Sequence, residues 1–301
     1  MVRAGQPIMA DKARPFSKLG SYYKLTKPGI IRGNILTAIA GFCVGSTYGF
    51  RFIWFVELIV GLSLVIASAC ICNNILDRPL DRKMERTKNR PLLNGSVSLP
   101  AASVLALATV VTGSYLLSRI NLFTLLLALS GHVLYVVVYG VGKRRTTWST
   151  VIGSVSGAIP PVVGYGAAHG KLDSIAALLF LSLVFWQMPH FYSIALYRIK
   201  DYRSAGLPLL PIVKGEARTK RAIIAYVIGY FVVVSLLGLR LKNHYVVAAL
   251  ALSALWWLSK VKNSAKMPTE LWAKLMFRTS LLVILVFCLT LSIFGLVASQ
   301  R

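Results

Sequence analysis

Nine stretches of about 20 mostly apolar residues punctuate this chain, near 30–49, 52–72, 100–118, 121–141, 147–168, 174–195, 222–239, 243–259 and 279–298. A helix needs about 20 such residues to cross a bilayer. Inside lipid each segment must also satisfy its own backbone hydrogen bonds, which leaves helices or a closed barrel. The expected fold class is therefore an all-α polytopic membrane protein with about nine transmembrane helices. Only 14% of the 301 residues are charged and 56% are hydrophobic, which excludes an ordinary soluble domain. The short 119–121 break predicts that the third and fourth segments form a helical hairpin.

The cations predict the orientation. Of 34 Lys and Arg, 28 fall in alternate connections: the N-terminus through Arg32, then 73–99, 142–146, 196–221 and 260–278. Cations accumulate on the cytoplasmic side of membrane proteins, so nine spans with the N-terminus cytoplasmic and the C-terminus outside is the parity that fits. The net charge of +25 is thus a topological signal and predicts no nucleic-acid partner. Residues 1–27 are polar and hold no apolar core of a signal peptide. They are expected to form a cytoplasmic N-terminus, followed by a single membrane domain over 28–301 with cap loops near 73–99 and 196–221. Cys43, Cys70, Cys72 and Cys288 all lie in or at the ends of apolar segments and read as small packing residues.

Three of the nine acids, Asp77, Asp81 and Glu85, crowd the end of the second segment behind Asn73 and Asn74. At helical spacing residues 73, 77, 81 and 85 share a face, and acids stacked in this way repel unless a cation lies between them. Hard oxygen ligands suit Mg²⁺, which takes one or two carboxylates and fills its shell with water and phosphate oxygens. Pro79 interrupts the pattern, since it cannot donate a backbone hydrogen bond, and is expected to kink the helix or restart it with Asp77 as N-cap. A salt-bridged helix end, with Arg78–Asp81 and Arg82–Glu85 pairs, is the competing expectation. Arg90, Lys143, Arg144, Lys200 and Lys214 are candidate diphosphate ligands. Asp201, the one acid in a run of cations, is a candidate ligand for a second metal. Arg32 and Asn34 lie inside the first segment, and His190 and His132 inside later ones, where polar groups are costly and commonly functional. From the residues alone the reading stops at Mg²⁺-dependent chemistry on a phosphate-bearing lipid. A lipid-phosphate transporter and a non-catalytic haem-binding assembly protein stay open.

These motifs resemble the UbiA superfamily of intramembrane prenyltransferases, and within it the haem-directed branch. The superfamily signature Asn-Asp-x-x-Asp-x-x-x-Asp falls on Asn73, Asn74, Asp77 and Asp81, with Asn74 in place of the second acid. Glu85, Arg86, Thr87, Arg90 and Pro91 match the branch extension, as do Trp186 through Phe191 and Asp201, Tyr202, Ala205, Gly206, Pro208, Leu210 and Pro211. Lys143, Arg144 and Thr146, and Gly157, Ala158, Pro160 and Pro161, also fit. The second acidic signature survives only as Asp201, with Ala205 in the other acid's place.

The resemblance implies helices around a central cavity in a bacterial inner membrane. It implies farnesyl transfer from farnesyl diphosphate to a vinyl group of haem b, with hydration, giving haem O. An aromatic or quinone precursor is the alternative acceptor. Implied metal ligands are Asn73, Asn74, Asp77, Asp81 and Asp201, with Mg²⁺ as cofactor, and Asp77, Asp81, Lys200 and Asp201 as catalytic residues. Asn34, Arg90, Lys143, Arg144 and Lys214 would take the diphosphate, and His190 the haem. Trp148, Trp186, Phe191 and Tyr197 are candidate faces for an allylic cation. A haem A synthase and terminal oxidase assembly factors are expected partners beside the lipid.

Overall fold

The computed structural model describes residues 18–47, 49–264 and 266–300. Among these, nine helices are long and apolar enough to cross a membrane: Pro28–Gly45, Phe52–Leu76, Leu99–Ile120, Leu122–Gly142, Ser149–His169, Ser174–Tyr197, Glu216–Arg240, His244–Val261 and Thr269–Ala298. We number them first to ninth. The expected spans are all present. The seventh and ninth begin earlier than their apolar runs, because Glu216–Arg221 and Thr269–Arg278 continue the helix with charged residues.

Many large apolar side chains face outward. Val104, Leu107 and Val111 follow one another along one face of the third helix and are each more than half exposed, a face that only lipid would solvate. Ser98 caps this helix by accepting from Ala101 N, and Asn121 caps the next by accepting from Thr124 N at 2.7 Å. Asn121 is extended between the two helices, and the predicted hairpin forms there.

Lipid tails offer helices no hydrophobic reason to associate, so close approach through small residues carries the packing. The first helix is clasped in this way between the fifth and the ninth. A Cβ built on Gly164 would stand 1.9 Å from the Ala38 carbonyl oxygen, one on Gly41 1.9 Å from that of Pro161, and one on Gly295 2.1 Å from that of Cys43. Cys43, Cys70 and Cys288 are buried, Cys72 is half-buried, and all four are free thiols.

The polar N-terminal region is not wholly outside the bundle. A short helix, Lys18–Leu25, precedes the first span, and its Leu25 is fully buried against Ile71, Leu92, Val97, Ala102 and Ala106. Residues 1–17 of the expected polar segment lie outside the described residues.

The packing account makes a direct prediction. Gly164→Val should force the first and fifth helices apart and cost on the order of 3 kcal/mol. It should appear as a lowered melting temperature of detergent-solubilised protein. Gly33→Ala, where an added Cβ meets nothing within 4 Å, should leave the melt unchanged.

Candidate functional site

The second helix stops at Leu76, one residue before the acids begin. Pro79 is the reason: with no N–H to give, it restarts the chain as a four-residue helix, Arg78–Asp81, whose N-cap is Asp77. The Asp77 side chain makes no capping bond; it points instead to Lys143, whose Nζ lies 2.5 Å from Oδ2. The break also corrects two expectations drawn from unbroken helical spacing. Glu85 sits in a turn, exposed, and pairs with Lys88 rather than Arg82. Asp81 pairs with Arg90 rather than Arg78.

Asp77 and Asp81 line a cavity of about 430 Å³ at this end of the bundle. Its walls are Lys27–Ile30 at the start of the first helix, then Asn73, Asp77, Leu80, Asp81, Met84, Arg86 and Arg90, then Tyr135 and Tyr139 of the fourth helix and Lys143 just past its end, with Tyr202 and Leu207 above. Asn73, Asn74, Asp77 and Asp81 each carry a cation. Lys27 Nζ donates to Asn73 Oδ1 at 2.7 Å. Arg90 Nη1 bridges Asn74 Oδ1, at 3.1 Å, and Asp81 Oδ2. Arg144 Nη2 lies 3.6 Å from Asp77 Oδ1 and donates to the Leu76 carbonyl at 2.5 Å. Thr87 Oγ1 donates to the Asp81 carbonyl at 3.0 Å and fixes the loop that brings Arg90 back.

Lys27 is the residue that sequence reasoning missed most plainly. It entered there only as one of the topological cations, although it stands directly before Pro28. Its backbone is left-handed, φ 52 and ψ 65, a conformation that costs an ordinary residue roughly 1–2 kcal/mol. That turn sets the ammonium in the cavity wall, where burial pulls its pKa down to about 8. Burial also lowers the pKa of Lys143, with Asp77 working against the shift.

Two tyrosines were missed as well. Residues 134–139 form a π-helix within the fourth span. An α-helix advances about 100° per residue, so positions eight apart drift by about 80° around the axis. The wider π turn rotates less per residue and takes back that drift, so Tyr135, Tyr139 and Lys143 come into line. The two rings stack with centroids 5.5 Å apart, and Lys143 Nζ lies 5.1 Å from the centre of Tyr139.

The other predicted residues lie elsewhere. Asp201 and Lys200 sit on the short helix Ile199–Ser204 but not in the cavity wall, to which this segment contributes Tyr202. Lys214 is exposed. Asn34 donates to the Ile30 carbonyl at 2.8 Å within its own helix. His190 Nδ1 is 2.8 Å from Ser280 Oγ, with its ring stacked on Trp186 and against Phe277, outside the cavity. Trp148, Trp186, Phe191 and Tyr197 are likewise absent from the wall. The two polar loops do meet as a cap: Met84 is buried with Ala205 and Leu207, and Ser204 Oγ donates to the Lys83 carbonyl at 3.0 Å.

The donor set fits Mg²⁺. Asp77 Oδ1 is buried and accepts no hydrogen bond, with Arg144 3.6 Å away, an arrangement that costs free energy and that a directly bound cation would relieve. No three His, Cys, Asp or Glu groups cluster among the described residues. That matches an ion held by two carboxylates and completed by substrate phosphate and water rather than by a closed protein cage.

An all-helical membrane bundle with paired carboxylates ringed by cations at one end suits an integral membrane protein that handles a phosphorylated substrate. A profile of the UbiA prenyltransferase family matches residues 34–296, and the chain belongs to that family. It is 42% identical to the protoheme IX farnesyltransferase of Protochlamydia amoebophila (strain UWE25), over 90% of this chain and 96% of that one. Its fold is that of a digeranylgeranylglyceryl phosphate synthase, with a TM-score of 0.76 and 18% identity, covering 93% of this chain and 99% of that one. It is similarly close to a UbiA homologue from Archaeoglobus fulgidus bound to DMAPP and Mg²⁺, with a TM-score of 0.66 and 16% identity, covering 88% and 99%.

The cap is open to test by substitution. Met84→Asp places a carboxylate among Leu80, Ala205 and Leu207 and should release both loops. The expected readout is faster proteolytic cleavage within 82–96 and 199–209, with helical circular dichroism unchanged.

Proposed function

We propose that this protein transfers the farnesyl group of farnesyl diphosphate to a vinyl group of haem b, with hydration, giving haem O and diphosphate in a bacterial inner membrane. One observation carries the diphosphate half: Asp77 and Asp81 share one cavity wall with Lys27, Arg86, Arg90 and Lys143. The acceptor half is supported by the likeness, along nine-tenths of the chain, to a protoheme IX farnesyltransferase. Residues 28–301 act as one prenyltransferase domain under this reading, with the cavity opening to the cytoplasm.

Asp77 and Asp81, with the amide oxygens of Asn73 and Asn74, would hold Mg²⁺, which when bound supplies positive charge beside the leaving diphosphate. The side chains account for the rest. The allylic C1–O bond breaks with its electron pair passing to diphosphate, where Lys27, Arg90 and Lys143 gain contact strength as negative charge gathers. The stacked faces of Tyr135 and Tyr139 stand beside the farnesyl cation. The terminal vinyl carbon of haem closes the new C–C bond. Water adds to the neighbouring carbon and loses a proton, which leaves a hydroxyl there. His190 as a haem contact belongs to this proposal, as do Asp201 as a second metal ligand, Lys200 and Lys214 as phosphate ligands reached through a moving cap, and Asn34 at the cavity's edge.

Incubating purified protein with haem b, farnesyl diphosphate and Mg²⁺, with an EDTA control, tests the reading by porphyrin mass and released diphosphate. A farnesylated, hydrated haem that forms only with metal is expected. Diphosphate release only with an aromatic acceptor would reassign the protein to quinone-type chemistry. Asp77→Ala and Asp81→Ala should each lower turnover by at least about 10³-fold in protein that still inserts and folds. Tyr139→Leu should lower kcat by roughly 30-fold, the equivalent of about 2 kcal/mol of cation–π attraction, with KM for farnesyl diphosphate little changed. His190→Ala should weaken haem binding as followed by its absorption spectrum, and an unchanged spectrum would retire it.

A further inference from the structure

The cations of the cavity do not wait for substrate in open space. Lys143 is seated on Asp77, Arg90 on Asp81 and Asn74, and Lys27 on Asn73. They therefore occupy the same oxygens that a divalent ion would need. The wall carries four cations, Lys27, Arg86, Arg90 and Lys143, against two carboxylates. A bare divalent ion entering this wall would displace Lys143 and Arg90 into a region already in positive excess. Like charges a few ångströms apart in a partly buried site repel strongly. A diphosphate reverses the balance, because its oxygens give the displaced ammonium and guanidinium groups new partners of the right charge and, for Arg90, the right fork.

We infer that Lys143, Arg90 and Lys27 act as placeholder cations, closing the acidic ligands to divalent metal until a diphosphate arrives and then passing from the carboxylates and amides to the phosphates. Metal binding is thus conditional on the anion, and the empty enzyme resists filling by metal alone. The inference rests on the prenyl diphosphate reading and adds to it an order of assembly. It also gives Lys27 a role that its seat on Asn73 explains. Asp77 Oδ1, buried without a hydrogen bond and with Arg144 3.6 Å away, is where a metal would first touch once Lys143 moves.

The test reads metal retention rather than turnover. Full-length protein in lipid nanodiscs is equilibrated with Mn²⁺, with or without S-farnesyl thiodiphosphate, and protein-retained Mn²⁺ is measured after ultrafiltration. Wild type should retain Mn²⁺ at least tenfold more tightly with the analogue than without it. Lys143→Met should raise the affinity for Mn²⁺ alone at least tenfold, the opposite of what loss of a merely structural lysine would do. Arg90→Gln should do the same through Asp81 and serves if the first variant does not fold. If neither variant folds, the wild-type comparison decides. Equal retention by wild type with and without the analogue would overturn the handover while leaving prenyl transfer standing. So would a folded variant whose affinity for Mn²⁺ alone is unchanged or weaker. No retention even with the analogue would remove the metal-assisted reading itself.

Discussion

Taking a carboxylate out of water at the mouth of a lipid-embedded bundle costs several kcal/mol, and that cost organises this end of the molecule. Asp77 is paired with a lysine just past the fourth helix and Asp81 with an arginine from the loop that follows it. Asn74 is held between that same arginine and the Leu25 carbonyl, to which it donates at 2.9 Å. Three parts of the chain, near Leu25, over 73–90 and at Lys143, are thereby tied around two acids. The arrangement that neutralises the acids is also the one that surrounds an incoming phosphate with donors.

The rest of the bundle supplies rigidity behind that mouth. Close backbone contacts at Gly41, Gly164 and Gly295 fix the first helix between the fifth and ninth. Lys27, one residue before that helix begins, thus projects from a fixed point. Above the cavity, the contact of Met84 with Ala205 and Leu207 is small and apolar. The acid-bearing loop is therefore covered by a segment joined to it, among the described residues, by no ion pair.

Much of this was legible in the sequence, because lipid imposes a length rule that a chain cannot evade. Asn73, Asn74, Asp77, Asp81, Arg90, Lys143 and Arg144 were also legible, since polar groups beside apolar runs are few and stand out. The tyrosines were not. A helix apolar on all sides carries no periodicity to tell an inward ring from an outward one, so Trp148 and Trp186 looked as eligible as Tyr135 and Tyr139. The end of the second helix was misjudged past Asp77 for a different reason: spacing arguments assume one continuous axis, and Pro79 starts another. Lys27 was hidden by abundance, as one cation among 34.

The π turn at 134–139 makes the length of the fourth segment more demanding than its composition. Exchanging one apolar residue for another at the exposed positions Leu126, Val133, Val137 or Val138 alters little, since these side chains meet lipid. Adding a single residue would leave a hydrophobic stretch still long enough to cross the bilayer, yet would swing everything beyond it by about a quarter turn. Lys143 would leave Asp77. Insertions here are thus edits to the charge of the site, made from a position that contains no charge.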